Sequence, residues 1–169
     1  GYREAELRCR RKGLARPQVH TLSIGAARPE DFDEHVAALE HYHDAVRVSA
    51  PIAARLDAEL EGVHGPDWCE LWWQDLPPYD DIPGNVNVQE IIRLWHYAKG
   101  LGLIEWGKMR YNLMGNAGHW FPGTNASGFD EPALVTALGD YEFADRIPAI
   151  LREAHALLGD APKKRLSQS

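Results

Sequence analysis

The sequence is short of cysteine, of positive charge and of long apolar runs, and each shortage excludes a class of protein. Two cysteines, Cys9 and Cys69, in 169 residues cannot build a disulfide framework and fit a reducing, cytoplasmic setting. Eighteen Lys+Arg against 25 Asp+Glu give a formal charge of -7, the wrong sign for a general binder of nucleic-acid backbones. No apolar run approaches the ~20 residues that span a bilayer, so no membrane partner is expected. Gly1-Tyr2-Arg3-Glu4 carries no apolar leader region, and a start at Gly rather than Met is expected of a processed, tagged or incomplete chain. No nucleophile elbow, P-loop or complete Gly-x-Gly-x-x-Gly occurs; Gly100-Leu101-Gly102-Leu103-Ile104-Glu105 lacks the last glycine. What is left is an ordinary globular composition, 44% hydrophobic and 25% charged, sized for one domain or one domain with an appendage.

Residues 3–14 are charged and helix-permissive, with Gly13 as a stop. After Pro17, the residues Val19, Thr21 and Ser23 alternate with His20, Leu22 and Ile24, which predicts a strand over 19–24. Gly25-Ala26-Ala27-Arg28 makes a tight turn, and Pro29 suits the first residue of a helix over 29–40. Glu30, Asp31, Asp33 and Glu34 put negative charge in its first turns. Phe32, Val36 and Leu39 form one apolar stripe at i, i+4 and i+7. Residues 19–40 thus read as a β/α unit. One strand cannot make a sheet, so its pairing partners are expected in a missing part of the protein or in another chain.

Everything downstream reads as helical. Pro51 is expected to open a helix carrying Ile52, Leu56, Leu60 and Val63. Asn87 with Glu90 resembles a capping box ahead of Val88, Ile91, Ile92 and Trp95, with Gly100 as the stop. Pro148 starts a last helix whose apolar face runs from Ile147 to Leu158 and ends at Gly159. Two irregular stretches, 76–85 rich in Pro and Asp and 115–123 rich in Gly and aromatics, carry large apolar residues that want burial. Six tryptophans (Trp68, Trp72, Trp73, Trp95, Trp106, Trp120) predict a compact aromatic core. No basic stripe is interleaved with them, so a base-stacking surface is not expected. His35, His41 and His43 read as surface histidines rather than metal ligands, because no His-Glu-x-x-His spacing accompanies them. His119, beside Trp120 in a Gly-rich loop, is the histidine best placed for function, although packing of the loop on itself is the favoured reading of it. Asp80-Asp81 and Asp130-Glu131 read as solvated or helix-starting pairs.

The run from Pro17 to Phe32, Pro-Gln-Val-His-Thr-Leu-Ser-Ile-Gly-Ala-Ala-Arg-Pro-Glu-Asp-Phe, resembles the last strand, turn and helix of an aldo/keto reductase barrel. The run from Gly107 to Gly123 and the stretch from Ala144 to Leu158 resemble the ferredoxin-like helical extension that one branch of that family attaches to its barrel. The resemblance covers roughly residues 17–169. It implies a mainly α chain: residues 1–45 as the remnant of a (β/α)8 TIM barrel, and residues 46–169 as the extension. A whole barrel takes ~250 residues, and the family's catalytic tetrad lies in the missing part. No catalytic residue is therefore assigned; Tyr2, Lys12 and His20 are of the right type in the wrong context.

The resemblance further implies a hydride transfer between NAD or NADP and a small carbonyl or alcohol in the intact protein. It places the adenosine phosphate of the cofactor at Gly25, Ala26, Arg28 and Glu34. Gly25 and Ala26 stand where many NADP-dependent members have Lys and Ser, Asp31 where they often have Arg, and His35 where they have Asn. Glu34 matches the family. Arg28 is the one cation in the loop, and an acid at 31 opposes a 2′-phosphate, which leaves NAD and NADP both open. Iron–sulfur members carry closely spaced cysteines, whereas residues 72–83 and 125–132 here hold none. No cluster is expected, and packing by Trp72, Trp73 and Phe129 is expected in its place. The alternative to a reductase portion is a non-catalytic helical interaction module.

Overall fold

The structure, a computed structural model, describes residues 28–115 and 121–160. The predicted strand over 19–24, the stretch 3–14, Gly25, Ala26, His119 and Trp120 lie outside the described residues. The chain divides into two compact units between Glu59 and Leu60. The division expected at 45/46 coincides with the start of the long helix that crosses this boundary.

In the first unit, helix α1 spans Asp31–Ala38, a 3-10 segment covers Leu39–Asp44, and α2 spans Ala45–His64. The helix expected from Pro29 begins two residues later. The amides of Asp31, Phe32 and Asp33 each bond three residues back, at 3.1 Å, to Arg28, Pro29 and Glu30, so the chain enters through a tight turn. Pro51 does not open a helix but sits inside α2. Its ring removes one donor while keeping a helical φ, and the Ala45–Ala50 run ahead of it is free to be helical. The stripe of α1 is the larger surprise. Phe32 is 53% exposed, Val36 64% and Leu39 57%, and the apolar series continues outward at Tyr42 and Val46. His35, expected at the surface, is buried, with its ring edge-on to Phe32 at 5.6 Å.

The second unit has its own core. Helix α3 spans Pro66–Leu71, α4 Val88–Leu101, α5 Ile104–Tyr111, α6 Glu131–Leu138 and α7 Ile147–Leu158. Helices α4, α5 and α7 pack on one another. Helix α4 buries Val88, Ile91, Ile92, Leu94, Trp95, His96 and Ala98, a broad face of the helix, and both α5 and α7 pack on it, which makes it the central element. The core around it contains Trp68, Trp72, Tyr111, Leu134, Ile147, Leu151 and Leu158. Among the described residues the single β pairing is an isolated parallel bridge between Val86 and Thr124, so these parts are mainly α.

Two glycines let the helices close. A Cβ on Gly107 of α5 would lie 2.9 Å from Leu158 Cδ2, and one on Gly100 of α4 would lie 2.6 Å from Leu60 Cδ2 and 3.2 Å from His64 Nε2. Gly100 therefore serves packing and not the helix stop expected of it. The left-handed C-cap is Gly102, at φ 67°. The capping box is half made: Asn87 Oδ1 accepts from the Glu90 amide at 3.0 Å. The Glu90 carboxylate instead takes the Arg93 guanidinium at 2.8 and 2.6 Å, a charge-assisted fork that outcompetes a backbone amide.

Candidate functional site

Two of the predicted cofactor residues lie within the described chain, Arg28 in the turn into α1 and Glu34 inside the helix. Arg28 donates its backbone N–H to Asp31 Oδ2 at 3.1 Å and a guanidinium N–H to Oδ1 at 3.4 Å. The cation of the loop and the acid expected to repel a phosphate thus face each other across three residues. A phosphate at this turn would have to compete with the Asp31 carboxylate for the same two donors. Glu34 lies one turn further along α1.

The two irregular stretches of the second unit are tied to each other. Thr124 donates its amide to Asn85 O at 2.7 Å and accepts the Asn87 amide at 3.0 Å, while its hydroxyl donates to Gly84 O at 2.9 Å. Asn87 Nδ2 donates to Pro122 O at 2.9 Å, so one side chain both caps α4 and holds the second loop. Gly123 sits at φ 77°, where a Cβ would lie 2.7 Å from Asn85 O. Only glycine fits that approach. Of the three aromatics expected in place of a cluster, Trp72 is buried and Phe129 packs on the core, whereas Trp73 is 56% exposed. Beside this junction a cavity of about 340 Å³ is walled by Trp72, Phe121, Glu90 and Arg93, but Arg93, Glu90 and Asn87 already satisfy one another or the loop.

Two histidine centres stand out that the sequence reading passed over. His64 and His96 are both buried, their rings 4.4 Å apart at a 31° tilt. His64 Nε2 lies 3.0 Å from His96 O, and Trp68 Nε1 donates to His96 Nδ1 at 3.4 Å. Burial pushes His96 down to about 4, helped by the neighbouring His64. Burial lowers His64 as well, with Lys99 and Arg146 adding to it and Glu153 and the His96 carbonyl opposing. The signal was available: His96 lies between Ile92 and Gly100 on the helical register and directly follows the core residue Trp95.

The second centre joins α5 to α7. Tyr111, fully buried, accepts the Ala126 amide at 3.0 Å and lies 2.8 Å from His155 Nδ1. Burial raises the Tyr111 hydroxyl to about 12, so it keeps its proton and gives it to Nδ1. His155 in turn borders a cleft of about 340 Å³ shared with Ser127, Gly128, Phe129, Glu131 and Arg152. Nothing in the sequence links Tyr111 to His155, which are 44 residues apart.

Among the described residues no group of three or more His, Cys, Asp or Glu is placed to hold a metal ion, and no helix is long and apolar enough to cross a membrane. Cys69 lies partly buried on α3, packed against the core. Compared with models of protein families, with curated proteins and with solved structures, the chain has no match.

Proposed function

We propose that this chain is the C-terminal portion of an oxidoreductase of the aldo/keto reductase type. In the intact protein the reaction is hydride transfer between NAD or NADP and a small carbonyl or alcohol. The chain completes the barrel with its last β/α unit and covers one side with the helical unit from Leu60 onward. The turn at Arg28 is its contribution to the phosphate end of the cofactor. The observation that carries this reading is the uncovered apolar stripe Phe32, Val36 and Leu39. A helix with an apolar face of that width is built to lie on something, and the layer that a barrel helix lies on is a parallel sheet.

The self-contained core from Trp68 to Leu158 favours one competing reading, a free-standing helical interaction module. Two measurements separate them. The isolated chain, incubated with NADH or NADPH and simple aldehydes, is expected to show no turnover above background. The product of the complete reading frame is expected to contain the barrel and to turn over. Turnover by the isolated chain, or a reading frame with no barrel, overturns the proposal.

A further inference from the structure

The cleft beside His155 has the size of a small-ligand site and carries hydrogen-bond capacity that the fold does not consume. Tyr111 fixes the ring. Its oxygen already accepts the Ala126 amide at 3.0 Å, so its own proton goes to His155 Nδ1 at 2.8 Å. In the neutral imidazole this leaves Nε2 as the protonated nitrogen, a donor whose tautomer is set by the buried phenol behind it. Arg152, one turn before His155 on α7, uses Nη1 for Glu131 Oε2 at 2.5 Å. A guanidinium has five N–H donors in a planar fork, so this single contact leaves the second edge for another acceptor. The Phe129 ring supplies an apolar wall, and Gly128 leaves the floor open.

We propose that this cleft binds a small organic monocarboxylate, with the carboxylate held by Arg152 and His155 Nε2–H and the hydrocarbon part laid on Phe129. Planar recognition of a carboxylate is the task a guanidinium performs best. Glu131 sets the charge: it neutralises part of Arg152 and repels a second negative group, so dianions are excluded. Tyr111 is a positioning residue, acting through the tautomer of His155. The inference is independent of the reductase reading, since every residue in it belongs to the helical unit.

The test is a two-dimensional amide NMR titration of the full chain with benzoate, benzamide and phthalate as probes. Benzoate is expected to shift the Ser127, Gly128 and Phe129 amides saturably, and benzamide, its uncharged counterpart, is expected to bind at least tenfold more weakly. Arg152→Gln is expected to weaken benzoate at least tenfold. Phthalate is expected to bind only after Glu131→Gln. Tyr111→Phe is expected to change the imidazole nitrogen shifts of His155 from the Nε2–H form towards a mixture and to weaken benzoate several-fold, which a purely structural tyrosine would not do. Equal binding of benzoate and benzamide, undiminished binding by Arg152→Gln, or no saturable shift at all overturns the proposal.

Discussion

His64 and His96 stack inside the second unit with ring centroids 4.4 Å apart, one from the end of α2 and one from the middle of α4. Two imidazoles this close and this buried are stable together only while neutral. The folded-state values are lowered, His96 to about 4, against about 6.5 in the unfolded chain. Between those limits the unfolded chain binds protons that the folded one refuses. Stability is therefore full above about pH 6.5 and falls as the pH drops towards 4. From pH 7 to pH 5, above the range where carboxylates titrate, His96 alone accounts for a loss of about 2 kcal/mol. Urea unfolding at pH 7, 6 and 5 measures it. His96→Asn, which keeps an acceptor for Trp68 and cannot titrate, is expected to lower stability at pH 7 but to flatten the slope; an unchanged slope would sink the assignment.

Gly123 and Gly62 predict opposite outcomes for the same substitution. At Gly123 a methyl group meets the Asn85 carbonyl at 2.7 Å and the backbone is left-handed, so Gly123→Ala is expected to cost about 2 kcal/mol or more through strain and loss of the loop junction. Gly62 lies inside α2 with nothing within 4 Å of a Cβ. There Gly62→Ala is expected to stabilise by about 0.5–1 kcal/mol through helix propensity. Thermal melts of the two variants should shift in opposite directions.

Asn87 carries two jobs that can be separated. Asn87→Ala removes the cap on the Glu90 amide and the bond to Pro122 O, and is expected to cost about 2–3 kcal/mol. Asn87→Asp keeps the cap acceptor but loses the amide donor to Pro122. Its loss should fall between wild type and the alanine variant in chemical denaturation.

The helical unit was legible in the sequence where local chemistry decides the outcome. Asn87 capped α4, Asp130 capped α6 through the Ala133 amide at 3.1 Å, and α7 ended at Leu158 before Gly159, because each signal acts within a turn or two of itself. What the sequence left hidden depends on residues far apart. Gly100 looked like a stop because the approach of Leu60, 40 positions earlier, is not a local fact. Pro51 looked like a start because a helix-permissive run before a proline has no marker of its own. The Tyr111–His155 pair and the Thr124 junction arise only once α5, α7 and the two loops are folded against one another.

The stripe on α1 makes a prediction about a substitution that should do almost nothing. Val36 is 64% exposed, so Val36→Lys is expected to change the stability of the isolated chain by less than about 0.5 kcal/mol. Leu151, fully buried, gives the contrast: Leu151→Ala is expected to cost about 2–5 kcal/mol. If the stripe is the seat of a barrel sheet, Val36→Lys should still impair the intact protein, by soluble yield or by activity. A large loss in the isolated chain would mean that the stripe is covered after all.

On the proposed reductase reading, Arg28 and Asp31 bear on the choice between the two nicotinamide cofactors. The guanidinium is engaged by the carboxylate at 3.4 Å, with both groups near the surface, so the pair adds little to stability, and on that reading its effect would fall on the bound phosphate. Asp31→Asn removes the charge that opposes a 2′-phosphate and releases Arg28. It is expected to leave the melting temperature within about 1 °C while raising the preference for NADPH over NADH roughly three- to tenfold. Arg28→Ala is expected to abolish the gain when combined with Asp31→Asn. Fluorescence titration of the complete protein with both reduced cofactors measures the ratio, which should move in the opposite sense to added salt because a surface charge contact is screened. A ratio that ignores both substitutions would place the phosphate away from this turn.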